Sequence, residues 1–269
     1  MPSKKSATKP VVPAADSDLR ICFDRVIPDA YQPARASAER SLMRSMRGTG
    51  LLSASDEPRI TRAAIITIKK WPDDLRPVKC RFLDGDATQR KKVQAKAHLW
   101  EQFANIKFKF IDSGDAQVRI SFTADPGSWS AIGTDALVER YFPKFQPTMN
   151  FGWLKANTAD QEYERVVVHE FGHALGLIHE HQSPKSKLKW NKAEVYRVFS
   201  GAPNFWSKQD IDDNVLSKYS PQGIQSTQFD ESSIMLYMFP GSLFTTGVGT
   251  KNNTKLSKHD KEFIAQQYP

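Results

Sequence analysis

The stretch His169–His181, HEFGHALGLIHEH, holds four of the six histidines in this chain of 269 residues. Residues four apart lie on one face of an α-helix, so His169 and His173 can reach one metal ion together. Gly176 can adopt the positive-φ conformation that ends helices, which lets the chain bring His179 to the same ion. Three neutral imidazoles that leave one position open for water predict a catalytic zinc site.

Glu170 lies on the same side of the predicted helix as His169 and His173 without being one of the ligands. Zinc lowers the pKa of bound water to about 7, and a carboxylate at this place can take the proton as water attacks a carbonyl. The predicted reaction is peptide hydrolysis without a covalent intermediate. His181 falls outside the ligand spacing and is expected beside the ligands or at the surface. A polar helix end rich in histidine, without a metal, is the alternative.

Composition and charge bear on whether the protein binds nucleic acid or spans a membrane. The net charge of +8 comes from basic residues spread along the chain, and no nucleic-acid motif accompanies them, so no nucleic-acid partner is expected. A basic nucleic-acid binder remains the rival that a steep salt dependence of DNA affinity would reveal. No apolar run of about 18 residues predicts a membrane span, and no signal peptide is visible. We expect a monomer that is cytoplasmic as made, with any export by a leaderless route.

The pattern along the chain predicts an α+β fold. Residues 1–58 read as an extension, disordered at its start, and residues 59–269 as the catalytic domain. Alternating apolar and polar residues predict a twisted mixed sheet of about five strands, and helical spacing predicts two long helices, the second of them capped by Thr158 and ending near Gly176. The strand around Thr148–Trp153 is predicted to be the sheet edge that a substrate would pair with. The first long helix is predicted at Thr88–Asn105, an early strand at Ala63–Ile68 and a closing helix capped by Ser257.

HEFGHALGLIH resembles the signature of the metzincin metallopeptidases, and SSIMLY, Ser232–Tyr237, resembles their Met-turn. Within that clan the chain looks most like astacin, because Glu180 follows the third histidine and the turn reads S-x-M-x-Y. The resemblance implies one zinc ion per chain, protein or peptide substrates, and a cleft between an upper subdomain, 59–178, and an irregular lower one, 179–269. It also implies that Met235 forms the floor of the zinc site. Tyr237 would be a displaceable zinc ligand that stabilises the oxyanion.

The extension lacks a clear match to the usual astacin propeptide motif, but in zymogens of the family that the chain resembles a prosegment side chain replaces the catalytic water. Cys22 or Asp24 could do so, and neither is the third alternative. Cleavage after Arg59 or Arg62 would free an N-terminus near Ala63 that Glu180 could bind. The other cysteine, Cys80, is predicted as a buried free thiol on a strand, with a bond to Cys22 as the alternative.

A catalytically silent zinc fold used only for binding is the remaining rival. The presence of Glu170, Tyr237 and all three candidate ligand histidines argues against it.

Overall fold

A computed structural model describes residues 21–24, 27, 69–124, 127–202, 204–218 and 228–269. The predicted strand Ala63–Ile68 and the predicted domain boundary at 58/59 lie outside these residues. Within them no helix is both long enough and apolar enough to cross a membrane. The strands are β1 (Phe23–Asp24), β2 (Val78–Phe82), β3 (Phe108–Phe110), β4 (Val118–Ser121), β5 (Ser128–Ser130) and β6 (Met149–Phe151). The helices are α1 (Ala87–Ala97), α2 (Asp160–Ala174), α3 (Lys192–Ser200), α4 (Lys208–Ile211) and α5 (Lys258–Gln267).

The six strands form one mixed sheet in the order β1-β5-β6-β4-β2-β3. All neighbours are parallel except β5 and β6, which are antiparallel. Five of the strands, β2 to β6, lie within residues 78–151, and two long helices, α1 and α2, accompany them. The predicted α+β fold with a mixed sheet of about five strands is therefore confirmed.

The position of the sheet edge differs from the prediction. Met149–Phe151 lies inside the sheet, between β5 and β4, so it cannot be the strand that receives a substrate. Without β1 the sheet would end at β5 on one side and at β3 on the other, and β1, from the N-terminal extension, pairs with β5 in parallel, with Phe23 opposite Trp129. The order of strands depends on pairings between distant segments, which local alternation does not determine.

Helix α2 carries the histidine motif and is held inside the molecule. The indole N–H groups of Trp71 and Trp100, both fully buried, donate to the carbonyls of Ala174 (2.7 Å) and Val168 (2.9 Å). These bonds tie the backbone of the helix to two separate segments. Packing and hydrogen bonds therefore fix the position of the helix that carries His169 and His173.

The sequence predicted the C-terminal end of α2 correctly and its N-terminal cap wrongly. Thr158 does not cap the helix: its hydroxyl accepts from Lys155 N (2.9 Å) and closes the preceding turn, so that prediction is wrong. At the other end Gly176 has φ 95°, with Gly176 N donating to His173 O (2.8 Å) and Leu177 N to Gly172 O (3.0 Å). This pair of bonds is the Schellman motif, and it turns the chain back towards His179.

Helix α1 is shorter than predicted, since it ends at Ala97 and a 3-10 turn follows at Trp100–Gln102. The closing helix α5 is capped by Ser257 as predicted, because its hydroxyl accepts from Asp260 N.

Buried apolar residues form two clusters. The first joins the sheet, α1 and α2, and also includes Ile264 of α5 and Tyr268, which directly follows that helix. The second is built from α3, the segment 237–244 and two residues near the start of the chain, Ile21 and Cys22. The division into subdomains at 178/179 stays a prediction, and α5 packs with the first cluster although it follows the second in sequence.

Candidate metal centre

The side chains of His169, His173 and His179 converge on one point. His173 Nε2 lies 3.1 Å from His169 Nε2 and 2.9 Å from His179 Nε2. Ligands about 2.05 Å from a tetrahedral zinc ion are about 3.3 Å apart, so the spacing of the three nitrogens suits that ion. All three side chains are buried, which keeps competing water away from the ligand atoms. Three imidazoles are also a donor set that zinc prefers. These residues therefore fit Zn²⁺.

The other ring nitrogen of each histidine faces an acceptor. His169 Nδ1 lies 2.8 Å from Ile234 O, and His173 Nδ1 lies 2.9 Å from Leu177 O. His179 Nδ1 lies 3.3 Å from the side-chain oxygen of Gln182. Because a carbonyl oxygen can only accept, each Nδ1 carries the proton and each Nε2 presents its lone pair to the metal.

Burial lowers the pKa of His169 well below its usual value, and the neighbouring His173 and His179 lower it further. The imidazole is therefore neutral at neutral pH, which is the form that binds a metal ion.

Glu170 is fully buried beside this point. One of its carboxylate oxygens, a ring nitrogen of His169 and the sulfur of Cys22 all lie within 4.8 Å of one another. Burial raises the pKa of the Cys22 thiol well above its usual value, and the charge of Glu170 adds to this effect. The structure thus brings together the predicted base and one of the two predicted prosegment side chains.

Tyr237 and Met235 also lie against the histidine motif. The hydroxyl of Tyr237 contacts His179 Nε2, so it points to the place where the three ligand atoms meet. The sulfur of Met235 lies so close to α2 that a Cβ added at Gly172 would come within 2.5 Å of it. Gly172 therefore admits the Met-turn beneath the histidines, a role that the spacing of the motif does not reveal.

The Met-turn is held by the closing helix. The Asp260 carboxylate accepts from the hydroxyl of Ser233 (2.7 Å) and from Ile234 N (2.8 Å). In the same turn Met235 O accepts from Glu180 N (2.9 Å). The Met-turn therefore contacts two of the histidines or their neighbours. Ile234 O faces the ring of His169, and Met235 O accepts from the residue after His179.

The carboxyl of Glu180 lies away from the histidines. Its Oε1 accepts from Asp230 N (2.8 Å), and burial raises the pKa of Glu180 to about 7, with the charges of Asp260 and Asp230 adding to the effect.

The remaining predicted residues belong to several parts of the chain. Asp24 belongs to β1, and Arg59 and Arg62 lie outside the described residues. Cys80 is a buried free thiol in β2, and Cys22 is also free. His181 is buried, with its ring 5.2 Å from that of His179 and its Nε2 3.1 Å from Asn214 O. Of the two expected places for His181, the structure shows the one beside the ligands.

Three buried imidazoles that converge on one point, with a buried carboxylate beside them, are the arrangement of a catalytic zinc site in a hydrolase.

Known proteins with this site and fold match the chain. The family model described as Matrixin, Peptidase M10, matches residues 79–190. A solved structure of myroilysin is 44% identical in sequence, has a TM-score of 0.71, and the match covers 75% of this chain and 96% of that one. A second crystal structure of myroilysin is 43% identical with a TM-score of 0.59, over 75% of this chain and 86% of that one.

High choriolytic enzyme 1, a hatching enzyme zinc-protease from Oryzias latipes, is 14% identical with a TM-score of 0.47, over 72% of this chain and 90% of that one. No curated protein sequence matches.

The chain belongs to the metzincin-type zinc metallopeptidases. The predicted metzincin-like fold and the zinc cofactor are thereby confirmed, and the substrates are proteins or peptides.

Proposed function

We propose that the protein is an astacin-like endopeptidase in which Glu170 is the general base. The observation that carries the proposal is the meeting of His169, His173 and His179 at one point, with Glu170 and Tyr237 on either side of it. The zinc ion, when bound, supplies the Lewis acidity that acidifies water and polarises a carbonyl.

The residues of the chain supply the proton transfers. Glu170 takes the proton of the attacking water and returns it to the leaving amine, so the peptide bond breaks without a covalent intermediate. The Tyr237 hydroxyl donates a hydrogen bond to the oxygen on which negative charge develops. The burial of Glu170 keeps bulk water from competing for these protons.

Removal of the metal tests this function. The full chain is treated briefly with trypsin, the trypsin is blocked with a serine-protease inhibitor, and an unfolded protein is offered as substrate. We expect cleavage to be lost after dialysis against 1,10-phenanthroline and restored by one equivalent of zinc, because the three histidines have no catalytic chemistry without the ion. Fragments on a gel report the result. Equal cleavage by the metal-free and the zinc-restored protein would contradict the proposal.

Tyr237→Phe tests the oxyanion role. We expect kcat to fall by roughly 100-fold while zinc stays bound, since loss of one oxyanion donor has an effect of about this size and three histidines still hold the ion. Steady-state kinetics and metal analysis on the purified variant measure both.

The matched control for this variant is Tyr163→Phe. Tyr163 is a buried tyrosine on the same helix as the motif, and its hydroxyl donates to Lys155 O (3.1 Å). A kcat in Tyr237→Phe as high as in Tyr163→Phe would remove the assigned role.

The prosegment is proposed to keep the site inactive. Strand β1 pairs with β5, which would otherwise be an edge strand of the sheet, and Cys22 directly precedes β1 and lies beside His169 and Glu170. An extended chain already hydrogen-bonded there excludes a second one, so a substrate can pair with β5 only after β1 has left.

Release of the prosegment would require a cut between Ile27 and Lys69. Lys69 belongs to the folded domain: its Nζ pairs with Asp135 (2.8 Å) and its carbonyl accepts from Thr134 N (3.0 Å). The predicted cleavage sites, after Arg59 or Arg62, fall in this interval. Burial, with the charges of Asp260 and Asp230, raises the pKa of Glu180 to about 7, and a new N-terminal ammonium beside it would stabilise its carboxylate form. We further propose that the active form is a monomer.

A further inference from the structure

Of the three acceptors that orient the ligand histidines, one is a side chain. Ile234 O and Leu177 O belong to the main chain, and no substitution removes them. The third acceptor, beside His179 Nδ1, is Oε1 of Gln182 at 3.3 Å. Gln182 is therefore the one orienting group of the three that depends on residue type.

The side-chain amide of Gln182 is itself fixed. It is 2% exposed, and its Nε2 donates to Asp213 O at 2.6 Å. Because a carbonyl cannot donate, this bond sets which end of the amide is nitrogen and directs the oxygen to His179. Asp213 belongs to a π-helical turn, Asp212–Leu216, that continues α4. The next carbonyl of that turn, Asn214 O, receives His181 Nε2 at 3.1 Å.

The segment 179–182, which carries the third ligand, thus hydrogen-bonds to two consecutive carbonyls of one π-helical turn through Gln182 and His181. Such turns are rare in proteins and are frequent at functional sites. On this chain the turn lies in the part of the fold built around the second apolar cluster, to which Val215 belongs. His169 and His173, by contrast, are held by α2 within the first cluster.

We propose that Gln182 is a positioning residue of the zinc centre, which links the π-helical turn Asp212–Leu216 to His179 and holds His179 as the tautomer protonated on Nδ1. The proposal rests on the proposed function only in taking the three histidines as zinc ligands. Gln182 does not touch the reacting atoms. Its effect reaches the metal through the orientation and basicity of one imidazole, as outer hydrogen bonds do at zinc sites generally.

Two substitutions separate the two halves of the amide. Gln182→Met removes both the acceptor and the donor at similar volume. Gln182→Glu keeps an oxygen for His179 but cannot donate to Asp213 O. Gln117→Met is the matched control, because Gln117 also bridges two main-chain groups, donating to Leu75 O (3.1 Å) and accepting from Lys79 N (2.8 Å), in another part of the fold.

The readouts are the zinc dissociation constant, from competition with a chromogenic chelator, and the ring N–H proton signals of the zinc-loaded full chain labelled in histidine. We expect Gln182→Met to weaken zinc binding by about 10-fold or more, the usual effect of losing such a partner. The His179 Nδ1–H signal should broaden through exchange with water while those of His169 and His173 persist. Gln182→Glu should retain the His179 signal, and Gln117→Met should leave affinity and signals unchanged.

Two results would overturn the proposal. One is a Gln182→Met protein with unchanged zinc affinity and three protected ring N–H signals. The other is a loss of zinc affinity in Gln117→Met as large as in Gln182→Met, which would show a general effect on folding. If Gln182→Met does not fold, Gln182→Glu decides by whether the His179 signal is kept. Failure of the proposed function would instead appear as wild-type protein that binds zinc and cleaves nothing, whatever the variants show.

Discussion

Glu170→Gln is expected to bind zinc as tightly as the unmodified chain and to cleave unfolded protein about 100- to 10,000-fold more slowly, the range that a general base contributes. The substitution replaces a carboxylate by an amide of the same shape, so the packing around this fully buried side chain is kept. An amide cannot take a proton from water at neutral pH. The measurement is kcat/KM for a quenched fluorescent peptide, together with the zinc content of the purified variant.

Glu164→Gln is the matched control for this prediction. Glu164 lies on the same helix and pairs with Lys96 (2.8 Å), with about a quarter of its side chain exposed. The charge change is identical, and the surface pair is worth little, so activity should stay within about twofold of the unmodified chain. Cleavage by Glu170→Gln at the level of Glu164→Gln would show that another group is the base.

The ligand set was predictable because it depends on local geometry. His169 and His173 share one helix face whatever the rest of the fold does, and Gly176 ends that helix through a local motif whose two hydrogen bonds lie within residues 172–177. The Met-turn was found by resemblance, and the contact of Tyr237 with His179 Nε2 agrees with it. Nothing in these steps requires knowledge of which strands are neighbours.

The errors came from competition between equally good local signals and from long-range pairing. Thr158 is a suitable capping residue, but its hydroxyl bonds to Lys155 N and the helix starts two residues later. Met149–Phe151 has the pattern of a strand, yet only the pairing with β4 and β5 places it inside the sheet.

Contacts that orient the site could not be read from the sequence for a related reason. Ile234 O and Leu177 O are main-chain groups that any residue would supply. Gln182 was visible only as one polar residue among many near the motif, and its burial is a tertiary property.

Cys22→Ala is expected to raise the activity of the uncleaved full-length chain by at least about tenfold. Cys22 is 1% exposed, and its sulfur lies beside His169 and Glu170, where the attacking water must stand. Burial and the neighbouring carboxylate raise the pKa of the thiol, so a thiolate there requires the charge of a metal ion. Thiolate is a strong zinc ligand, and its removal reopens the fourth position. Initial rates on a fluorescent peptide, with no protease treatment, measure the change.

Two controls separate latency from other effects of losing a cysteine. Cys80→Ala removes the other described thiol, which is buried in β2 and bonds only weakly to Val78 O (3.7 Å), so it should not raise activity. After the prosegment has been cleaved away, Cys22→Ala and the unmodified chain are the same molecule and should have equal kcat/KM.

An uncleaved Cys22→Ala chain no more active than the original would exclude the thiol, and Asp24→Ala would then be the next variant to measure. A rise with Asp24→Ala alone would assign the zinc-blocking group to the carboxylate. No rise with either would favour the pairing of β1 with β5 as the barrier to substrate, since that pairing blocks the strand without any bond to the metal.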